Sequence, residues 1–223
     1  MNVKLLVDIS VLFTYLAFIV GLIRYRYFTR EIKTFFYFVV FGVITEIYTR
    51  FHQHFIAKIT TPIGHFYFPI AFLILAIFYM QVLENFIKPV YFIIIISVFE
   101  LYCILNPIFI QSLYEYSSLV GAVGALFVFL FSVAFFIKVV TEAKIEKLSH
   151  EPLIWINTAL LVYYSFNFLF FALYNLRILA SMKVAVLAAV FFSIFNLLFY
   201  LIISVGFFIT KKKQVKSKHF NKH

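Results

Sequence analysis

Apolar and polar positions alternate along this chain on the scale of whole segments. Seven mostly apolar runs, 5–23, 34–55, 62–83, 89–105, 117–140, 153–174 and 184–209, are separated by short stretches where charge, proline and asparagine gather. A helix needs about 20 apolar residues to cross a hydrocarbon core of ~30 Å, and each run comes within a few residues of that length. In lipid the backbone must satisfy its own hydrogen bonds, so the runs predict α-helices. The expected fold is an all-α integral membrane protein. It has a seven-transmembrane-helix bundle over 1–210 and a polybasic tail over 211–223.

Composition supports this reading and charge orients it. Of 223 residues, 65% are hydrophobic and 13% charged, with a mean hydropathy of +1.03, well above the ~45–50% apolar content of soluble domains. Lys and Arg stay preferentially in cytoplasmic segments. Arg24, Arg26, Arg30 and Lys33 follow the first run, Lys88 follows the third, Lys138, Lys144 and Lys147 follow the fifth, and six lysines lie in the tail. By alternation these fourteen share one side, against Lys4, Lys58, Arg177 and Lys183 on the other, with Arg50 inside or at the edge of the second run. The N-terminus is therefore predicted outside and the C-terminus in the cytoplasm.

The net charge of +10 follows from that topology. Its scatter over loops argues against a nucleic-acid partner. The tail lysines directly follow a span, where they act as an orientation signal and can attract anionic lipid headgroups. Residues 1–4 carry one basic side chain and no small-residue cleavage site follows, so the first run is read as a span rather than a leader. The single cysteine, Cys103, permits no internal disulfide and no cysteine-based metal site. The 33 Phe and 15 Tyr are attributed to background base composition as much as to selection and given little functional weight.

The stretch 46–54, Glu-Ile-Tyr-Thr-Arg-Phe-His-Gln-His, interrupts this pattern with charge. Glu46 and Arg50 are four residues apart, which places them on one helix face in the favourable order, and His54 continues the stripe. An ionisable group inside a span costs ~2.5 kcal/mol or more, and by default it marks a functional site. If the pair is buried, removing one member costs ~3–5 kcal/mol. Glu46→Gln and Arg50→Ala are then expected to impair folding or function more than Lys58→Ala does. Asp8, near the start of the first run, is either solvated at the interface or turned toward the same cavity. Glu100 lies in the outer half of the fourth run, which is expected to end at Asn106-Pro107. A carboxylate there needs a cation, a proton or water, and Arg50 is the only fixed positive charge at that level.

Further along the chain, His65 stands at the entrance of the third run, ahead of Pro69, which can kink the helix. Ser117, Gly121, Gly124 and Ala125 form a small-residue ridge suited to close packing. Asn157, Tyr164, Asn167, Phe171 and Tyr174 make one polar stripe, and Ser193, Asn196, Tyr200 and Ser204 another, both at helical spacing. Such stripes suit interhelical hydrogen bonds or a hydrated pocket.

At common depth, Asp8, Glu46, Arg50, His65 and Glu100 fall in the outer half, with His52 and His54 near the surface and Asn167 on a neighbouring wall. The inner half is nearly bare of charge. A cavity open to the outside and closed below is expected. Three uses of it compete. It binds a ligand or protons and passes a rearrangement to the cytoplasmic loops, the histidines titrating near neutrality. Alternatively it moves a small solute or ion with Glu46 and Glu100 as coupling carboxylates. In the third use, His52, His54 and His65 hold zinc for hydrolysis, although three or four convergent ligands are required and the H-E-x-x-H spacing is absent. No cofactor and no catalytic residue is predicted. Residues 184–210 contain no lysine for a retinal Schiff base, and no Ser/His/Asp nucleophile arrangement or phosphate-binding glycine loop occurs.

The segment Glu151-Pro-Leu-Ile-Trp-Ile-Asn157, followed by Tyr163-Tyr-Ser-Phe-Asn167, resembles the sixth span of the seven-helix input modules attached to bacterial sensor histidine kinases. The similarity covers about twenty residues, with the span count and N-out orientation. It implies a sensory module in a bacterial cytoplasmic membrane. Fourteen residues follow the last run here, with no kinase or other output domain among them, so the chain is expected to act through a separate protein partner in the membrane or cytoplasm, or to do something else.

Overall fold

A computed structural model describes residues 3–56, 59–142, 148–175 and 182–210. Lys58, Lys144, Lys147, Arg177 and the polybasic tail 211–223 lie outside the described residues, as does the side chain of Lys183. The described residues contain seven long helices and no strand: α1 Val3–Arg24, α2 Arg30–Phe55, α3 Thr61–Val82, α4 Pro89–Phe109, α5 Ser118–Glu142, α6 Pro152–Asn175 and α7 Met182–Ile209. All seven are long and apolar enough to cross a membrane. The chain is a multi-pass membrane protein whose surroundings are a lipid bilayer.

Proline sets several boundaries. Pro62, Pro89 and Pro152 sit in the first turns of α3, α4 and α6, where a missing N–H costs nothing because no carbonyl waits for it. Pro107 does not end α4 as the sequence suggested. The helix runs through it to Phe109, and Ile110 and Gln111 both return their N–H groups to the Asn106 carbonyl. One lost bond so close to a helix end is tolerated by the flanking turn. Pro69 also stays inside α3. Asn85, in the turn before α4, takes a left-handed φ of 67°, which asparagine tolerates better than most residues.

The helices alternate between two ends of the bundle. The first end holds the start of α1 and the α2–α3, α4–α5 and α6–α7 connections; the second holds the remainder. Hydrogen bonds tie each end together. At the first, Thr61 donates to the Tyr114 carbonyl at 3.1 Å, and His65 Nε2 lies 3.1 Å from the Glu115 carbonyl. At the second, Arg24 donates to the Phe208 carbonyl at 2.6 Å, Thr34 to Gln81 Oε1 at 3.0 Å, and Lys138 to the carbonyls of Val82 at 2.8 Å and Glu84 at 3.0 Å.

α5 is the most enclosed helix, with 50% of its apolar window buried against 22% for α4, so α4 is peripheral, packed on α3 and α5. The outward faces of α1 and α4, including Leu12, Ile19, Val98, Leu101, Ile104 and Ile108, stay exposed. Their partner is lipid.

The core concentrates toward the second end. Phe35, Phe38, Phe78, Tyr79, Phe92 and Phe207 are each at most 1% exposed. Ring pairs interlock them, Phe35 with Phe78 at 5.3 Å and Phe28 with Phe207 at 4.9 Å. At Gly21 of α1, even a methyl group would collide with the Phe36 ring, so glycine is what lets α1 and α2 close on each other. Beneath the cavity described next, Tyr79, Ser132 and Asn157 form a closed polar triangle. The Tyr79 hydroxyl donates to Asn157 Oδ1 at 2.7 Å and accepts from Ser132 at 2.6 Å, while Asn157 Nδ2 donates to the Ser132 carbonyl at 3.1 Å.

Candidate functional site: a tyrosine-lined cavity at one end of the bundle

A cavity of about 310 Å³ enters the bundle from the first end, between α1, α2, α3, α5, α6 and α7, with α4 reaching its floor. Its floor is apolar, made by Ala71, Phe72, Leu75, Phe99 and Val128. Higher up the walls turn polar, with Thr14, Thr45 and Thr49 on one side and Asn167 and Asn196 on the other. Five tyrosines, Tyr67, Tyr116, Tyr163, Tyr164 and Tyr200, ring the space. Tyr116 lies just ahead of α5, and burial pushes its phenol above the ordinary value, so the ring stays neutral.

Small residues open this volume. Gly121 and Gly124 line it, and a side chain at Gly121 would meet the Phe171 ring at 2.9 Å. The ridge read from the sequence as packing therefore serves packing and cavity together.

Glu46 is the one charged side chain among the described lining residues. It accepts from Arg50 Nε at 2.7 Å, and Arg50 Nη1 reaches Asp8 Oδ1 at 3.2 Å. Asp8, Glu46 and Arg50 are thus brought together, one guanidinium shared between two carboxylates on different helices. The trio is not buried: its side chains are 44%, 31% and 43% exposed in that order. This corrects the expectation of a strongly destabilising buried pair, because exposed ion pairs are screened and contribute ~0–1 kcal/mol.

The other expected members disperse. Glu100 does not reach Arg50, because α4 stands on the far side of α3 and α5; its Oε1 is buried with no partner among the described residues. His65 is buried and bonded to the Glu115 carbonyl, where it joins α3 to the loop before α5. His54 is exposed, edge-on to Phe55 at 4.5 Å. His52 lies in a second, lipid-facing recess of about 360 Å³ between α2 and α3. The three histidines do not converge, and no group of three metal-ligating residues forms among the described residues.

Asn167 stands where the sequence placed it, on the cavity wall. It is 3% exposed and donates to the Tyr163 carbonyl at 2.8 Å. The two polar stripes divide: Tyr164, Asn167, Phe171, Asn196 and Tyr200 line the cavity, while Asn157 belongs to the triangle below. Sequence reasoning missed Tyr116, Tyr163, Thr14, Thr45 and Thr49 as lining residues. The aromatic ring was hidden by the abundance of Tyr and Phe; only the convergence of tyrosines from four parts of the chain on one space reveals it.

No model of a protein family matches the chain, and no curated protein and no solved structure matches it.

Proposed function

We propose that the chain is a sensor-like or accessory membrane protein whose cavity faces outward, holds a small ligand and passes its occupancy to the cytoplasmic end, where a separate partner reads it. The observation carrying this reading is the asymmetry of the bundle along its axis. The polar cavity stops at Leu75, Phe72 and Val128, and the interlocked rings and the Tyr79–Ser132–Asn157 triangle lie below. A transporter needs a second path from the floor to the other side, and the groups that would line one are fully packed or bonded to each other. The basic residues of the described second end, Arg24, Arg26, Arg30, Lys33, Lys88 and Lys138, support a cytoplasmic placement by the positive-inside rule. The first end then faces outward.

Native mass spectrometry of the detergent-purified protein, with elemental analysis alongside, tests this reading. An organic molecule should be retained without metal, and Thr49→Trp, which fills the cavity mouth, should release it. Stoichiometric zinc lost on replacing His52 and His54, or downhill solute flux in proteoliposomes, would overturn it.

A further inference from the structure

We infer that the cavity ligand is an organic cation, an ammonium group carrying apolar substituents; the inference rests on the cavity being a ligand site. Four observations point the same way. First, the only charge on the described lining is the Glu46 carboxylate, and no Lys, Arg or His is among the described lining residues. Arg50 lies outside the lining, committed to Glu46 and Asp8, so an anion meets no free cation among the described lining residues.

Second, five tyrosine rings surround the volume. Aromatic faces attract cations through the ring quadrupole, and aromatic cages are a recurring answer to alkylated ammonium groups. Tyr67 and Tyr200 line the same space as Glu46, and the Tyr200 hydroxyl lies against Gly42, about one helical turn before Glu46.

Third, part of the polar capacity of the walls is already spent within the protein. Thr45 donates to the Phe41 carbonyl at 2.9 Å, and Asn167 donates to the Tyr163 carbonyl at 2.8 Å. A polyol, which needs many donors and acceptors at once, finds these two donors engaged. A cation that asks for ring faces and one carboxylate is well served.

Fourth, the floor of Phe72, Leu75 and Phe99 is apolar, which suits hydrocarbon substituents. The volume of 310 Å³ equals about ten waters at ~30 Å³ each, enough for a small amine and far too little for a macromolecule.

The experiment compares three probes of one shape on the purified full chain by calorimetric titration: benzyltrimethylammonium, its uncharged isostere neopentylbenzene, and the anion benzylsulfonate. The cation should bind at least ~10-fold more tightly than either other probe, the factor of one charge-assisted contact. Glu46→Gln keeps an acceptor for Arg50 and should weaken the cation ~10-fold while leaving the neutral probe unchanged. Tyr67→Phe keeps the ring face and should retain binding, whereas Tyr67→Leu should lose several-fold. Retention in Tyr67→Phe with loss in Tyr67→Leu separates a ring-face contact from a hydroxyl contact.

Equal or tighter binding of the neutral or anionic probe, abolished by Thr49→Trp, overturns the cation assignment and leaves the cavity as a ligand site of another class. Failure of all three probes to bind also overturns it, and the retained-molecule measurement above then decides separately whether the cavity holds a ligand.

Discussion

Tyr79, Ser132 and Asn157, near the second end, are each at most 1% exposed and satisfy one another's hydrogen bonds. Asp8, Glu46 and Arg50, at the first end, are 31–44% exposed and share one guanidinium beside an open cavity. Both clusters put polar groups into an apolar bundle, and they do so for different purposes. A buried neutral triangle has nowhere to send an unpaired group, so it fastens α3, α5 and α6 together. A half-exposed charged trio has water as an alternative partner, so it holds its helices loosely and keeps charge at the mouth. The residues that carry formal charge are therefore not the ones on which the fold depends most.

Substitutions can break that contrast, the largest expected effect first. Asn157→Ala removes two bonds and leaves the Tyr79 hydroxyl and the Ser132 carbonyl short of partners, for a loss of ~1–3 kcal/mol in reversible unfolding by denaturing detergent. Tyr79→Phe removes a hydroxyl bonded to both Asn157 and Ser132 but leaves the ring packed, and should cost ~1–2 kcal/mol by the same titration. Arg50→Ala should cost ~1 kcal/mol or less, because the pair is part-exposed, and should show instead in ligand retention; a thermal-unfolding loss matching that of Asn157→Ala would erase the distinction between the clusters. Glu100→Gln should cause no loss of melting temperature, since the carboxylate has no cation to lose and the amide is cheaper to hold in a span. A clear drop there would reveal a partner for Glu100.

The fold was legible because its cause is one-dimensional. Seven apolar runs of spanning length must be helices in lipid, and the structure returns all seven with shifts of a few residues. The largest shifts are at α2, which begins at Arg30 rather than 34, and at α4, which passes Pro107 to Phe109. Helical periodicity also put Glu46 with Arg50 and placed Tyr164, Asn167, Asn196 and Tyr200 on useful faces.

What periodicity cannot supply is the order of helices around the bundle. That order decides that Asp8 reaches Arg50 and Glu100 does not, and that His65 meets the Glu115 carbonyl rather than the cavity. The tyrosine ring was illegible for the same reason. Tyr67, Tyr116, Tyr163, Tyr164 and Tyr200 come from distant segments, and in a sequence with 15 tyrosines helical periodicity singled out only Tyr164 and Tyr200.

On the function proposed above, the cavity is a dead end reached from one side. Impermeant-thiol labelling tests it most directly, in a background where Cys103 is replaced by alanine. Single cysteines are placed at Thr49 in the mouth and Leu75 in the floor, and the reagent is applied to the outer face of intact cells and, separately, to the cytoplasmic face of inverted vesicles. Thr49→Cys should label from outside, Leu75→Cys should label slowly from outside, and neither should label from the cytoplasmic face. Labelling of Leu75→Cys from the cytoplasmic face would show a path through the bundle and contradict the account.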